Sequence, residues 1–440
     1  MKKMNFWLGL LVPTLLFATA IATYLLHFPF QQWVHQNISL VTGIGGGAIA
    51  LLVGLWWWMN RKNKAKLLTT SSSKTDNAAI ITKPKQKTKN KKQPVKFGTF
   101  QGVFTPVLLT ILGVIMYLRE GWVVGNAGLL GAIGIILLAS VITFFTALSM
   151  SSITTNIRIG AGGAFSIIAQ SLGMEAGGAI GIPLYFAQAL AVAMYIFGFR
   201  EGWCWAFPDH SYLLVDCVTF AFVFLIVNIS TDFAFKIQYF IMAIIVGSLF
   251  SIVGALFTSE LNYDFQLFGS YPGSPDNNFS GSSFWLVFAV YFPAVTGIMA
   301  GANMSGDLKD PRVNIPSGTL AAIVITTIVY IFLAVVLALL ATPEELVGNY
   351  NILIDKALWA PIVLAGLLGA TFSSALSSLV GAPRILQALG QNNILFFNKQ
   401  LTQLDDKGEP KNALLVTVAL VVGALLMRDL NAIAPLITMF

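Results

Sequence analysis

Two apolar stretches carry residues that could hold ions inside a membrane. One runs through Leu109, Thr110, Ile111, Leu112, Gly113, Val114 and Ile115; the other through Pro293, Thr296, Gly297, Ile298 and Met299, roughly 180 positions later. A bilayer core offers no water to backbone amides, so a spanning helix breaks only where its freed N–H and C=O groups meet something polar. The carbonyls that end one half-helix carry partial negative charge and suit a cation. The amides that begin the next carry partial positive charge and suit an anion. In the first stretch, carbonyls of Leu109, Thr110 and Ile111 would face a cation and amides of Gly113, Val114 and Ile115 an anion. In the second, Pro293 lacks an amide and frees a carbonyl one turn earlier. Thr296 adds a hydroxyl oxygen there, and Gly297, Ile298 and Met299 repeat the amide set. Glycines of this kind also serve simply to let helices pack closely. A matched pair of interruptions, one in each half of a chain, instead points to a transporter site near the bilayer midplane.

Three further polar features fall in apolar runs. Ser373 and Ser374 are adjacent hydroxyls that need partners: they either ligate a small hard cation through oxygen or bond back to the preceding turn. Arg119 is costly in a span unless paired or hydrated, and the adjacent Glu120 or snorkelling to the interface would relieve it. There is no nucleophile–base pair, metal-ligand cluster or cofactor motif, so an enzyme is excluded as the leading class. Cys204 and Cys217 read as packing residues without a disulfide.

The elements that must position these residues are membrane helices. Hydrophobic residues make up 56% of the chain and charged ones only 10%, and runs of about twenty apolar residues recur, each long enough to cross a bilayer. Residues 6–26 and 40–59 form an expected N-terminal transmembrane hairpin (1–60). Residues 61–96 hold twelve Lys or Arg against the single acid Asp76, so this segment carries +11 while the whole chain carries +7. It reads as a disordered cytoplasmic tether, with anionic lipid as a candidate partner. It lacks the folded reader or interleaved aromatics that nucleic-acid binding needs.

Nine core spans follow within 97–440: 103–125, 129–153, 176–199, 211–230, 236–257, 284–305, 316–341, 358–381 and 412–428. With the linker inside, inner loops hold eight Lys or Arg and outer loops only Arg200, Lys356 and Arg428, which supports a cytoplasmic N-terminus. Residues 431–440 read as the start of a tenth core helix, cut short.

The motifs also resemble a family. Lys96-Phe-Gly-Thr-Phe-Gln-Gly102, Gly113-Val-Ile-Met-Tyr-Leu-Arg119 and Trp122-Val-Val-Gly-Asn-Ala-Gly128 look like the opening of the cation–chloride cotransporters. Ala191-Val-Ala-Met-Tyr195-Ile-Phe-Gly198, Gly297-Ile-Met-Ala-Gly-Ala-Asn-Met-Ser-Gly-Asp307, Ile315-Pro-Ser-Gly-Thr-Leu320 and Ser373-Ser-Ala-Leu-Ser-Ser-Leu-Val-Gly-Ala-Pro383 continue the likeness in order. It covers about residues 96–440.

The resemblance implies an all-α membrane protein of the amino acid–polyamine–organocation superfamily. Its fold would have five-plus-five inverted repeats, discontinuous first and sixth core helices and truncation in the tenth; the hairpin lies outside the likeness. It implies electroneutral symport of chloride with potassium, sodium or both by alternating access, in the plasma membrane. Potassium would use Thr110, Ile111, Tyr195, Pro293 and Thr296. Chloride would use amides of Gly113, Val114 and Ile115, and a second chloride those of Gly297, Ile298 and Met299. Sodium would use Leu109, Leu112, Ala370, Ser373 and Ser374, and Arg119 with Glu201 would form an extracellular gate.

Thr110 replaces the usual Asn and Leu112 a usual Trp. No cofactor is expected beyond the transported ions, and the expected partners are small inorganic ions and the bilayer, with a homodimer as a candidate assembly. The alternatives are an amino acid or amine permease of the same fold and a non-transporting membrane regulator or inactive fragment.

Overall fold

The computed structural model describes residues 96–156, 162–229, 231–275, 278–395, 398–405 and 409–427. The expected hairpin, nearly all of the basic linker and the terminal apolar run lie outside the described residues. Among those described, the chain is built from helices. After a short π-type turn, Phe100–Phe104, come α1 (Thr105–Ile111), α2 (Val114–Leu118) and α3 (Glu120–Asn156). Next are α4 (Gly163–Leu172), α5 (Met174–Ala206), α6 (Tyr212–Ile229) and α7 (Thr231–Ala255). The second half opens with α8 (Phe284–Tyr291), a 3-10 segment over Phe292–Ile298 and α9 (Met299–Asn303). It continues with α10 (Pro311–Leu340), short α11 (Pro343–Gly348) and α12 (Ile352–Asp355), long α13 (Ala360–Gln391), short α14 (Asn398–Leu401) and α15 (Lys411–Leu425).

Among the described residues, seven stretches are long and apolar enough to cross a membrane, and 212–228 and Lys411–Leu425 add two shorter apolar helices. Together they correspond to the nine expected core spans, because a hydrocarbon environment leaves helix as the one open structure that satisfies its own backbone. The ten-residue α4 and short α11, α12 and α14 are additions to the sequence reading, being too short to give a spanning signal.

α13 is the central post. It packs against α5 and α7, while α10 packs against α3. Small residues make these approaches close: a Cβ on Gly202 would lie 2.7 Å from Leu367, and one on Gly369 3.2 Å from Ile241. Without a hydrophobic drive between helices in lipid, such close fit supplies the association energy. The large buried side chains Tyr117, Tyr291, Tyr330, Phe165 and Phe197 fill the interior between them.

α3 is two helices joined at Gly128, whose φ of 72° and ψ of 172° no other residue type adopts readily. The loop before α8 docks into this corner. Leu129 N–H donates to the Gln266 carbonyl (2.9 Å) and Gly269 N–H to Ala127 (2.8 Å). The side chain of Asn126 exchanges two bonds with Gly273 (3.0 and 2.9 Å), and the Trp122 indole donates to the same Gly273 carbonyl (2.8 Å). Elsewhere Phe97 N–H donates to Asp307 and Lys309 N–H to Phe97, both at 2.8 Å, which ties the start of the core to the connection between α9 and α10.

One charge differs from its expected place. Arg200 is not an outer-loop cation: it lies within α5, is 8% exposed and pairs with buried Asp216 of α6 at 2.7 Å. Counting Lys and Arg by loops misplaces it because its partner, sixteen positions away, neutralises it inside the bundle. The ring of Phe197 lies 4.5 Å from its guanidinium.

Two stability outcomes follow from these contacts. Gly128→Ala would put a Cβ 2.6 Å from the Gly269 nitrogen at a strained positive φ, so it should cost about 1–3 kcal/mol. It should lower the apparent Tm of the purified protein and expose the 258–283 loop to protease; an unchanged Tm would contradict the docking. Asp216→Ala removes the carboxylate that neutralises the buried Arg200 and should cost about 3–5 kcal/mol, whereas replacing both residues by Leu should recover most of that. Equal destabilisation by the single and double changes, read by thermal melting, would refute the pairing.

Candidate functional site

The backbone ladder of the first core helix opens where the glycine predicts. α1 ends with Leu112 at φ −77°, ψ 50°, whose N–H still reaches the Leu108 carbonyl at 2.8 Å. Gly113 is extended at φ −103°, ψ −148°, and α2 then restarts. Helix continues past Arg119, since Arg119 N–H bonds to Ile115 and Val123 N–H to Arg119, both at 2.9 Å. The amides of Gly113, Val114 and Ile115 therefore begin a long half-helix and have no intrahelical carbonyl ahead of them. Only glycine fits the opening: a Cβ on Gly113 would lie 2.8 Å from the Thr110 carbonyl oxygen and 3.6 Å from the Ser374 hydroxyl.

Side chains already meet part of the opened backbone. Tyr330 of α10, fully buried, donates its hydroxyl to the Ile111 carbonyl at 2.7 Å. Ser374 of α13 points at the Leu109 carbonyl at 3.5 Å. Ser373 is 0% exposed and its hydroxyl has no hydrogen-bond partner. Thr371, two positions before Ser373, shows what back-bonding looks like on this helix: its hydroxyl donates to the carbonyls of Leu367 (2.9 Å) and Leu368 (3.0 Å). Neither serine makes the bond that Thr371 makes. Ala370, one turn before Ser374 on α13, is fully buried as well.

The second interruption takes another form. The sequence reading has it unwound, but residues Phe292–Ile298 are wound as a tight 3-10 segment, with Pro293 near its start. Three residues per turn break the α-ladder without opening it. Thr296 is exposed and its hydroxyl donates to the Pro293 carbonyl at 2.8 Å, so these two oxygens lie together. Gly297 and Ile298 are buried, and the Met299 N–H turns onto the Gly297 carbonyl. The two interruptions touch: a Cβ on Gly297 would lie 2.7 Å from the Thr110 methyl and 3.2 Å from the Ile111 nitrogen. Thr110 keeps its own hydroxyl on the Pro106 carbonyl at 2.7 Å.

Tyr195 joins them from α5. It is 6% exposed and within electrostatic reach of Tyr330. Three residues on, Gly198 lets α5 approach the break, because a Cβ there would lie 2.5 Å from Val114. The structure thus gathers Leu109, Thr110, Ile111, Gly113, Val114, Gly297, Tyr195 and Ser374 around one crossing.

The flanks of this crossing carry ion pairs. Arg119 lies 3.8 Å from Glu201 and 4.0 Å from the centre of the Tyr350 ring. Of the partners the sequence leaves open, Glu201 is the one it meets; Glu120 is buried elsewhere. On the other flank Arg384 of α13 holds Asp307 through Nη2 (2.8 Å) and Nε (3.0 Å). A small cleft lies nearby, lined by Pro106, Gln238, Ala300, Met304, Ser377 and Val380. Sequence reasoning missed Tyr330, Asp216 and the Asp307–Arg384 pair. The single tyrosine in the middle of a largely apolar span was the available signal for the first.

The sequence is similar to those of known proteins. The amino acid permease family matches residues 102–440. The chain is 34% identical over 406 residues to mouse solute carrier family 12 member 2, covering 80% of this chain and 34% of the relative. The human protein of that name matches over the same shares at 34% identity, and mouse solute carrier family 12 member 1 is 32% identical over 418 residues, 81% of this chain and 38% of the relative. The chain thus spans about a third of the length of these curated relatives. It is a multi-pass integral membrane protein that belongs to the amino acid permease family, with sequence similarity to solute carrier family 12 proteins.

Proposed function

We propose that this chain is an electroneutral symporter that couples chloride to potassium and sodium by alternating access. The observation that carries the reading is the opened backbone at Leu112–Gly113, with the unpartnered Ser373 hydroxyl buried on the helix packed against it. A buried hydroxyl without a partner is costly, and small hard cations take oxygen ligands. Sodium is assigned to carbonyls of Leu109, Leu112 and Ala370 with the hydroxyls of Ser373 and Ser374. Potassium is assigned to Thr110, Ile111, Pro293, Thr296 and Tyr195. Chloride is assigned to amides of Gly113, Val114 and Ile115, and a second chloride to those of Gly297, Ile298 and Met299.

In this conformation Tyr330 occupies the Ile111 carbonyl and Thr296 the Pro293 carbonyl. Cation entry therefore exchanges those hydrogen bonds for ion–oxygen contacts, which keeps the cost of an empty site low. The Arg119–Glu201 contact is read as the extracellular gate and Arg384–Asp307 as its inner counterpart. The same reading gives five-plus-five inverted repeats, a plasma-membrane location and a cytoplasmic N-terminus. The side chains of Leu112 and Val114 are buried against the break, which disfavours a solute as large as an amino acid.

Rubidium uptake into vesicles containing the purified chain tests this. Uptake should be lost when either sodium or chloride is replaced, and on Tyr195→Ala. Ser373→Ala should raise the sodium concentration for half-maximal uptake about tenfold, the equivalent of about 1.4 kcal/mol. Tyr330→Phe frees the Ile111 carbonyl and should alter apparent rubidium affinity while leaving the chloride requirement intact. Uptake indifferent to chloride would remove the cotransport reading, and amino acid uptake in its place would favour a permease.

A further inference from the structure

Glu120 has no part in the ion sites above. It follows Arg119 but faces elsewhere: Arg119 turns to Glu201 and Tyr350, whereas Glu120 is 0% exposed and neither carboxylate oxygen has a hydrogen-bond partner. The adjoining Gly121 packs under Leu337, Leu346 and Ile352, which covers this part of α3. Its titratable neighbours are phenols. Tyr291 of α8 and Tyr330 of α10 lie in the vicinity of its carboxyl, and Tyr117 of α2 and Tyr195 of α5 in that of Tyr330.

The Tyr291 hydroxyl is itself buried and unpartnered. The Tyr291 and Tyr330 rings meet edge to face at 5.4 Å, and Tyr330 in turn bonds the Ile111 carbonyl. On the short helices that follow α10, Lys356 is committed to Glu345 at 2.8 Å and Asp355 accepts from Asn349 at 2.7 Å. Glu344 is exposed.

A carboxylate in such a site has no donor or cation to offset its lost hydration, so the neutral acid is the form that fits. We propose that Glu120 is a proton-binding site, filled whenever the Arg119 end of the bundle is closed, which adds a proton to the ions that govern this chain's cycle. The step is a protonation: water on the Arg119 side delivers a proton, an O–H bond forms on the carboxylate, and hydroxide is left in the water. When that end opens and hydrates, the carboxyl ionises again. Through Tyr291 and Tyr330 the site lies beside the first break, so its occupancy and that of the cation site can influence one another. The dependence on external rather than internal pH rests on the orientation proposed above; the site itself does not.

The full chain in lipid vesicles provides the test, with two readouts. In infrared spectra near neutral pH, wild type should show the C=O stretch of a buried carboxylic acid that E120Q lacks and that Tyr291→Phe shifts. No such band in wild type, or a band that stays in place in Tyr291→Phe, would overturn the proposal even if E120Q failed to fold. This readout is independent of which solute is carried. In rubidium uptake, wild type should fall as pH rises on the Arg119 side, by at most about tenfold per pH unit for one proton, and E120Q should be nearly flat. Matching pH profiles for wild type and E120Q would equally overturn it. Glu345 does not blur the reading, because its hydrogen bond from the Lys356 ammonium holds its carboxyl below the usual carboxylate range.

Discussion

A peptide group inside hydrocarbon must find a partner, and at Leu112–Gly113 the chain gives up its own. The rest of the core is arranged around that loss. Tyr330 reaches in from α10 for the Ile111 carbonyl, Ser374 from α13 toward the Leu109 carbonyl, and the Leu112 N–H keeps its bond to Leu108. Each unsatisfied group would cost on the order of several kcal/mol in lipid. The opening survives because helices from the second half of the chain supply these partners.

Close approach makes that supply geometrically available. Gly297 admits Thr110, Gly198 admits Val114, and Gly301 and Gly318 both admit Val103. These are contacts of backbone with side chain in which one methyl group would force the helices apart. The ion pairs on either flank, Arg119 with Glu201 and Arg384 with Asp307, then tie neighbouring elements of the core to one another. Arg200 serves a different purpose. Held by Asp216, it anchors α5 to α6 and leaves the neighbouring Glu201 to meet Arg119.

Much of this is legible in the sequence, for identifiable reasons. Hydropathy dictates spanning helices because the bilayer permits little else. The Gly113 break is legible because a glycine after Thr110-Ile111-Leu112 interrupts an otherwise good helix. The second interruption is legible in place but not in form: Pro293 and Gly297 mark a weak ladder, and nothing local in the sequence says that it tightens against Thr110 rather than opens. The Tyr330 bond joins positions 219 apart and the Asp307–Arg384 bond positions 77 apart. No local periodicity encodes such partners. Glu120 rivals Glu201 for Arg119 only while adjacency in sequence is all there is to weigh. One residue of helical rotation, about 100°, turns it to another face.

Everything proposed for the ions depends on main-chain groups at the first break meeting charges of opposite sign. Anomalous diffraction from crystals of the protein grown with rubidium and bromide would measure this directly. A rubidium peak is expected among the Thr110, Ile111, Pro293 and Tyr195 oxygens, and a bromide peak at the amides of Gly113 to Ile115. Peaks confined to the protein surface, with the break empty in crystals saturated with both ions, would contradict it.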